Sequence, residues 1–195
     1  MGTDNGVQMD LRRNDGGIHK SPTGDTAPPG AAEILEQRKE MIRFSWSLLD
    51  KEFNAGAAES FYQTLFYRYP EVEAMFNGAD MGMQAKKLYD MLRVAVRFLD
   101  NMEHLLPSLR DMGVRHARVY QVQRAHYSAV TTIFIETINN FLEARLQSVV
   151  SPESMSVIRV DIAASWGWLL TLVGNTMADA ADSDRCNATG ATPTR

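Results

Sequence analysis

The residues with the widest chemical range in this sequence are its four histidines: His19, His104, His116 and His126. An imidazole changes charge near neutral pH and is also a common metal ligand. The sequence surrounds them with no metal-ligand cluster, no glycine-rich phosphate loop and no nucleophile motif. His116 stands apart because the pattern places it at the end of a short helix, between the apolar LLPSL and an extended VYQV. On spacing alone, such a histidine is more often a partly exposed structural residue than a ligand.

The elements that must position these histidines are helical throughout. Apolar residues recur every three or four positions, as in the first helix with Ile42, Trp46 and Leu49, which is the spacing of a helix packed on one side. About seven helices are predicted and no strand. The segment 104–120 is predicted to be short and broken by a proline and a glycine. The segments 124–147 and 152–180 are the longest, and the second opens with Ser151 as N-cap and Pro152 at the first helical position. The predicted fold class is all-α.

Both ends of the chain have a different composition. Residues 1–32 and 182–195 are rich in small and polar residues and poor in large apolar ones, so they cannot bury enough surface to offset the entropy lost on ordering. We therefore predict a disordered N-terminal arm over 1–32, a single domain over 33–181 and a disordered tail over 182–195.

Composition disfavours several classes of function. The chain has 195 residues, a net charge of −4 and a pI near 5.6, without the basic stripe that nucleic-acid binding requires. Its one cysteine, Cys186, cannot form an internal disulfide, which suits a reducing compartment. The N-terminus lacks a signal-peptide core, and the longest uncharged run, 162–178, is interrupted by polar residues and glycine. No membrane span is predicted, and a cytoplasmic location is expected.

The stretch YPEVEAMF, residues 69–76, joins two helical segments through a proline-started turn that ends in Phe76. Tyr62 precedes that phenylalanine by fourteen residues, and a spaced series of residues follows the same turn. The full ordered set is Tyr62, Pro70, Phe76, Gln84, Leu88, His116, Val122 and Tyr127. Over roughly residues 33–180 this set resembles the globin family, and most closely the haem domain of flavohaemoglobins and the bacterial single-domain globins. The resemblance implies a globin fold enclosing a haem pocket.

The resemblance also implies a role for each residue. His116 matches the axial ligand of the haem iron, and Phe76 matches the phenylalanine that stacks on the porphyrin. Leu88 and Val122 would form the apolar walls, and Lys87 would reach a haem propionate. This role would explain why the turn ends in a phenylalanine, because the Phe76 ring could stack on the flat porphyrin.

Tyr62 and Gln84 match the two hydrogen-bond donors that face bound oxygen in bacterial globins. Tyr127 matches a tyrosine that, in flavohaemoglobins, joins the axial histidine and a glutamate in a hydrogen-bonded group. The glutamate has no evident counterpart here, and Asp179 is the nearest acid toward the end of the last helix.

This likeness predicts a protein with haem b and its iron that binds O2. The leading hypothesis is a nitric oxide dioxygenase, which converts NO to nitrate and draws its electron from an external reductase, since the chain ends where a flavin and nicotinamide reductase would begin. The alternatives are an oxygen store, a gas sensor whose arms transmit haem ligation, or a helical module without cofactor. The iron coordination number and the oligomeric state are left open.

Overall fold

The computed structural model of the protein describes residues 30–52 and 56–189. Within these ranges the chain forms seven α-helices and no strand, so the all-α prediction is confirmed. The helices are α1 (Ala31–Glu52), α2 (Ala58–Arg68), α3 (Pro70–Glu73), α4 (Met81–Arg97), α5 (Leu106–Tyr120), α6 (Arg124–Leu146) and α7 (Pro152–Thr189). Two 3-10 segments, Ala74–Phe76 and Met102–Leu105, precede α4 and α5. Most of the predicted arm, residues 1–29, lies outside the described residues.

Helix α7 is the central element and packs most extensively against α5, α6 and α1. Trp166, which is fully buried, lies at the middle of this packing. Its ring centroid is 5.2 Å from that of Phe134 on α6 and 6.2 Å from that of Trp46 on α1. The indole N–H donates to Ser45 Oγ at 2.9 Å, which satisfies the polar group that a buried tryptophan carries. Three helices are thus held around one side chain.

The turn between α2 and α4 is built from local backbone constraints. Pro70 occupies the first turn of α3, where its missing N–H costs nothing, and Gly78 adopts a φ of 78°, which a side chain would disfavour. Helix α4 then starts at Asp80, whose carboxylate accepts the Met83 N–H at 3.1 Å. The turn places Phe76 between the end of α2 and the start of α4.

Helix α5 is continuous, so the predicted break over 104–120 is wrong. Pro107 lies in the first turn of the helix, where no backbone donor is needed. Gly113 lies in its interior because α7 passes there, and a Cβ on Gly113 would be 2.2 Å from the Met177 carbonyl oxygen. His116 consequently lies within α5, not at its end, and residues 119–120 are helical instead of extended.

The predicted disordered tail is also wrong for residues 182–189, which continue α7. Arg124 contacts Asp179 at 2.6 Å and Asp182 at 2.7 Å, and Arg118 binds both carboxylate oxygens of Asp184 at 2.6 and 2.8 Å. Exposed ion pairs contribute little singly, but these connect α5 and the start of α6 to the stretch of α7 from Asp179 to Asp184. Residues 190–195 lie outside the described residues.

Among the described residues, α7 is also the one helix long and apolar enough to suit a membrane span, by length and composition alone. Buried core helices have the same composition, and Trp166, Leu169 and Val173 all face the core. About a third of its most apolar 18-residue stretch is buried.

We predict that Gly113→Ala lowers the free energy of unfolding by about 1–3 kcal/mol, because the added methyl would force α5 and α7 apart. Gly167→Ala is the matched control, since its Cβ would meet only Ile135 Cδ1 at 3.7 Å. That variant should gain about 0.5–1 kcal/mol from helix propensity. Urea unfolding of both variants measures the difference, and equal stability would contradict the close contact.

Candidate functional site

Three aromatic rings form a cluster where α2 meets the turn before α4. The ring centroid of Tyr62 lies 5.5 Å from that of Phe76 and 5.7 Å from that of Phe66, and the two phenylalanines are 5.2 Å apart. All three side chains are half-buried. The structure therefore brings together two of the predicted site residues, Tyr62 and Phe76. Phe66 was missed by the sequence reasoning, although its position one turn after Tyr62 on the same helix face could have revealed it.

The Tyr62 hydroxyl lies at the boundary between α2 and α4. It is 3.5 Å from the Gln84 carbonyl oxygen, which is longer than the roughly 2.5–3.0 Å of a strong O–H···O hydrogen bond. Burial raises the pKa of Tyr62 to about 12, so the phenol keeps its proton at neutral pH and can act as a donor. Tyr62 and Gln84, the two predicted donors, thus approach each other through the main chain of Gln84. The Gln84 side chain is half-buried and lies in the first turn of α4.

His116 is anchored one helical turn from Met112. Its Nδ1 lies 2.8 Å from the Met112 carbonyl oxygen, a geometry that fits Nδ1–H as donor and leaves the Nε2 lone pair available. Burial lowers the pKa of His116 below its ordinary value of 6.5, which favours the neutral form that metal ligation requires. The Met112 carbonyl was also missed by the sequence reasoning, although an acceptor four residues earlier is available to any helical histidine.

The end of α5 connects His116 to Val122. The Val122 N–H donates to the His116 carbonyl at 3.1 Å, across Gln121 with its φ of 57°. Val122 is half-buried at this turn. The ring of Tyr120 lies edge-on to the imidazole, with centroids 5.8 Å apart.

Tyr127 lies on α6 against α7, where a Cβ on Gly174 would be 3.0 Å from Tyr127 Cβ. Burial raises the pKa of Tyr127. Asp179, the acid considered for the hydrogen-bonded group, is paired with Arg124. Within the described residues, the hydrogen-bond partner of the His116 ring is a main-chain carbonyl and not a tyrosine or a carboxylate.

The remaining predicted residues lie on α4. Leu88 is half-buried and packs against the hydrophobic core. Lys87 is exposed, and it takes part in none of the ion pairs formed among residues 30–52 and 56–189. An ammonium without an internal partner is available to an acidic group of a ligand.

The structure is thus all-α, with His116 on α5 as a neutral candidate metal ligand. The aromatic cluster at α2 and α4 adds the half-buried Tyr62 hydroxyl as a hydrogen-bond donor.

A family model described as Globin matches residues 59–151. A flavohemoprotein of Bacillus cereus is 31% identical over 101 residues, which are 51% of this chain and 25% of that protein. A flavohemoprotein of Bacillus anthracis is 28% identical over 107 residues, 54% of this chain and 26% of its own.

Full-length globins give a second comparison. Globin-2 of Mordacia mordax is 22% identical over 128 residues, covering 59% of this chain and 81% of that protein. The chain therefore spans most of that globin but only about a quarter of the flavohemoproteins it matches. The Globin model covers slightly less than half of the chain, and the matched residues form a globin domain that resembles flavohaemoglobin haem domains, which confirms both the expected likeness and the expected fold. This likeness implies haem and a small gas ligand such as O2.

The pKa of His116 gives a testable pH dependence. Because its pKa is lowered in the folded state, the unfolded chain binds the proton more readily, and stability present above pH 6.5 is lost as the pH falls through and below 6.5. We expect haem-free wild type to lose stability relative to His116→Gln between about pH 7.5 and about pH 5.5. Urea unfolding across this range measures it, and a pH-independent difference between the proteins would contradict a buried neutral imidazole.

Proposed function

We propose that this protein holds haem b through His116 Nε2, binds O2, and oxidises nitric oxide to nitrate in the cytoplasm with an electron from an external reductase. One observation carries the proposal: half-buried Tyr62 places its protonated hydroxyl beside α4, and its ring packs against that of Phe76. The similarity to proteins named flavohemoprotein supports the choice of reaction.

The residues present fit a haem group. His116 offers a neutral nitrogen whose other ring nitrogen is fixed by a main-chain acceptor, as axial histidines require. Phe76, Leu88 and Val122 offer half-buried apolar side chains suited to a flat macrocycle. Lys87 offers a cation to the acidic edge of the group.

When bound, haem iron supplies reversible O2 binding and one-electron redox chemistry. The protein contributes the surroundings of the ligand. With haem bound, the Tyr62 O–H would donate a hydrogen bond to the negatively charged side of a gas ligand. The Gln84 side-chain amide would be a second hydrogen-bond donor to the ligand, because Gln84 lies on the turn of α4 that Tyr62 contacts.

The reaction balances with one external electron. Conversion of NO to nitrate removes three electrons from nitrogen. The two oxygen atoms of O2 take up four electrons when they become oxygens of nitrate. In a single turnover the fourth electron would come from the haem, and a reductase, which we place in a separate protein, would have to replace it before the next. Tyr62 and Gln84 orient the ligand but accept no electrons in this scheme.

The contact between α5 and α7 favours a second candidate, a gas sensor. Arg118, two residues after His116, binds Asp184 near the end of α7. A ligand-dependent shift of His116 would therefore reach the last turns of that helix. Ligand-dependent hydrogen exchange over residues 179–189 together with absent turnover would favour this candidate over the enzyme.

Replacing Tyr62 by phenylalanine should speed O2 dissociation by about tenfold or more, since a hydrogen bond to a charged acceptor is worth about 1.5–3 kcal/mol. Tyr67→Phe is the matched control, because Tyr67 lies on the same helix and is 88% exposed. Stopped-flow measurement of the oxygenated protein gives both rates. Equal rates for the two variants would remove Tyr62 from the oxygen site.

The reaction itself is tested by mixing the oxygenated protein with NO and measuring nitrate, with and without a flavin-dependent reductase and its nicotinamide donor. We expect one nitrate per haem alone and repeated turnover with the reductase. His116→Ala should lose or displace the Soret band and abolish turnover. A normal Soret band without nitrate formation would retain the haem site and reject the dioxygenase.

A further inference from the structure

The N-terminal half of α7 carries an apolar stripe that the described part of the chain does not cover. Val157 is 61% exposed and Val160 is 65% exposed. Ala164 and Thr171 are also exposed, and Trp168 is half-buried. Spacings of three and four residues place these side chains on one helix face. From 157 to 175 the face is about 27 Å long.

A groove runs along one flank of this stripe, between α7 and α1. Its volume is about 510 Å³, and its walls include Trp168 and Leu172 of α7 and Arg38 of α1. Arg38 forms no ion pair with any residue in the described ranges. Asp179, which is paired with Arg124, also lines the groove. The groove therefore combines an aromatic wall with an arginine that has no ion-pair partner of its own.

Asp161 lies on the same flank, further toward the start of α7. Seven residues separate it from Trp168, which is two helical turns and returns to the same side of the helix. Asp161 is exposed, and its carboxylate has no ion-pair partner among residues 30–52 and 56–189. One flank of the stripe thus carries an unpaired acid at one end and an unpaired base near the other.

A two-fold axis makes this arrangement self-complementary. If the axis lies between the two copies, perpendicular to α7 and level with the midpoint of Ala164 and Trp168, the two α7 helices pack antiparallel. Each flank of the stripe then meets the same flank of the partner. Position 161 then faces position 171 of the partner, within the groove that Arg38 also lines. A parallel pairing would instead bring Asp161 against the opposite flank, away from Arg38.

We propose that the chain forms a homodimer through the α7 stripe, with antiparallel helices and two symmetric Asp161–Arg38 ion pairs. Closed two-fold dimers are the most common protein assemblies and use one surface twice. Small Ala164 at the crossing point lets the two helices approach closely. Burial of the valines and of Trp168 supplies the apolar contact, and the charges at either end set the direction and register. The inference does not depend on haem binding.

Charge reversal tests the arrangement on the full-length protein by sedimentation velocity over a concentration series. Asp161→Arg and Arg38→Asp should each weaken dimerisation by about tenfold or more, because both pairs become repulsive. Mixing the two variants should restore a dimer, since the heterodimer keeps one native Asp161–Arg38 pair and rebuilds the other with its charges exchanged. Asp111→Arg, an exposed acid on α5 with the same charge change, should dimerise as the wild type does.

Several results would overturn the proposal. A wild type that stays monomeric up to high micromolar concentration would reject it, as would a dimer unaffected by Asp161→Arg. Weakened single variants that fail to associate on mixing would reject the antiparallel register. Binding of monomers to vesicles of phosphatidylcholine and phosphatidylglycerol, without self-association, would assign the stripe to a membrane surface instead.

Discussion

The close approach of α5 and α7 at Gly113 is the constraint on which the rest of the site depends. With hydrogen in place of a side chain, the backbone of α5 lies directly against the Met177 carbonyl. His116 follows three residues later, one turn along the same helix, so its position relative to α7 is set by this contact and not by its own side-chain interactions. The salt bridges of Arg118 and Arg124 extend the same contact to the end of α7.

Periodicity and turn chemistry were sufficient to predict the helical architecture and most helix boundaries. The cap at Ser151 and the turn at Pro70 are local signals, and both occur as expected. The two errors concern segments whose state depends on distant residues. From the sequence alone Gly113 predicts a helix break, because its close contact with α7 is not visible there. Residues 182–189 likewise predict a polar tail, because the arginines of α5 and α6 that bind them are distant in sequence.

The candidate site was predictable to a similar extent. The likeness to globins named Tyr62 and Phe76, and the structure brings their rings together. It did not predict that Tyr62 would reach the main chain of Gln84, because side-chain identity carries no information about which backbone carbonyl lies nearby. For the same reason Met112 was absent from the expected site, although its carbonyl holds the imidazole.

The acceptor on His116 has a consequence for reactivity. A main-chain carbonyl is neutral, so it orients the ring and fixes the tautomer without transferring the negative charge that a carboxylate would share with it. If haem binds at this imidazole, its iron would be less electron-rich than iron whose histidine ligand is paired with a carboxylate, which suits holding O2 more than splitting its O–O bond. Tyr62 and Gln84 therefore contribute more to the proposed chemistry than His116 and its acceptor do.

Helix α7 runs without interruption for 38 residues, a length of about 57 Å. Its first half carries the exposed stripe, and its second half is bound to the helix that presents His116. If association at the stripe tilts the first half of α7, the continuous helix carries that tilt to the half bound to α5. Thermodynamic reciprocity then requires that gas binding change the association constant by the same factor by which association changes gas affinity.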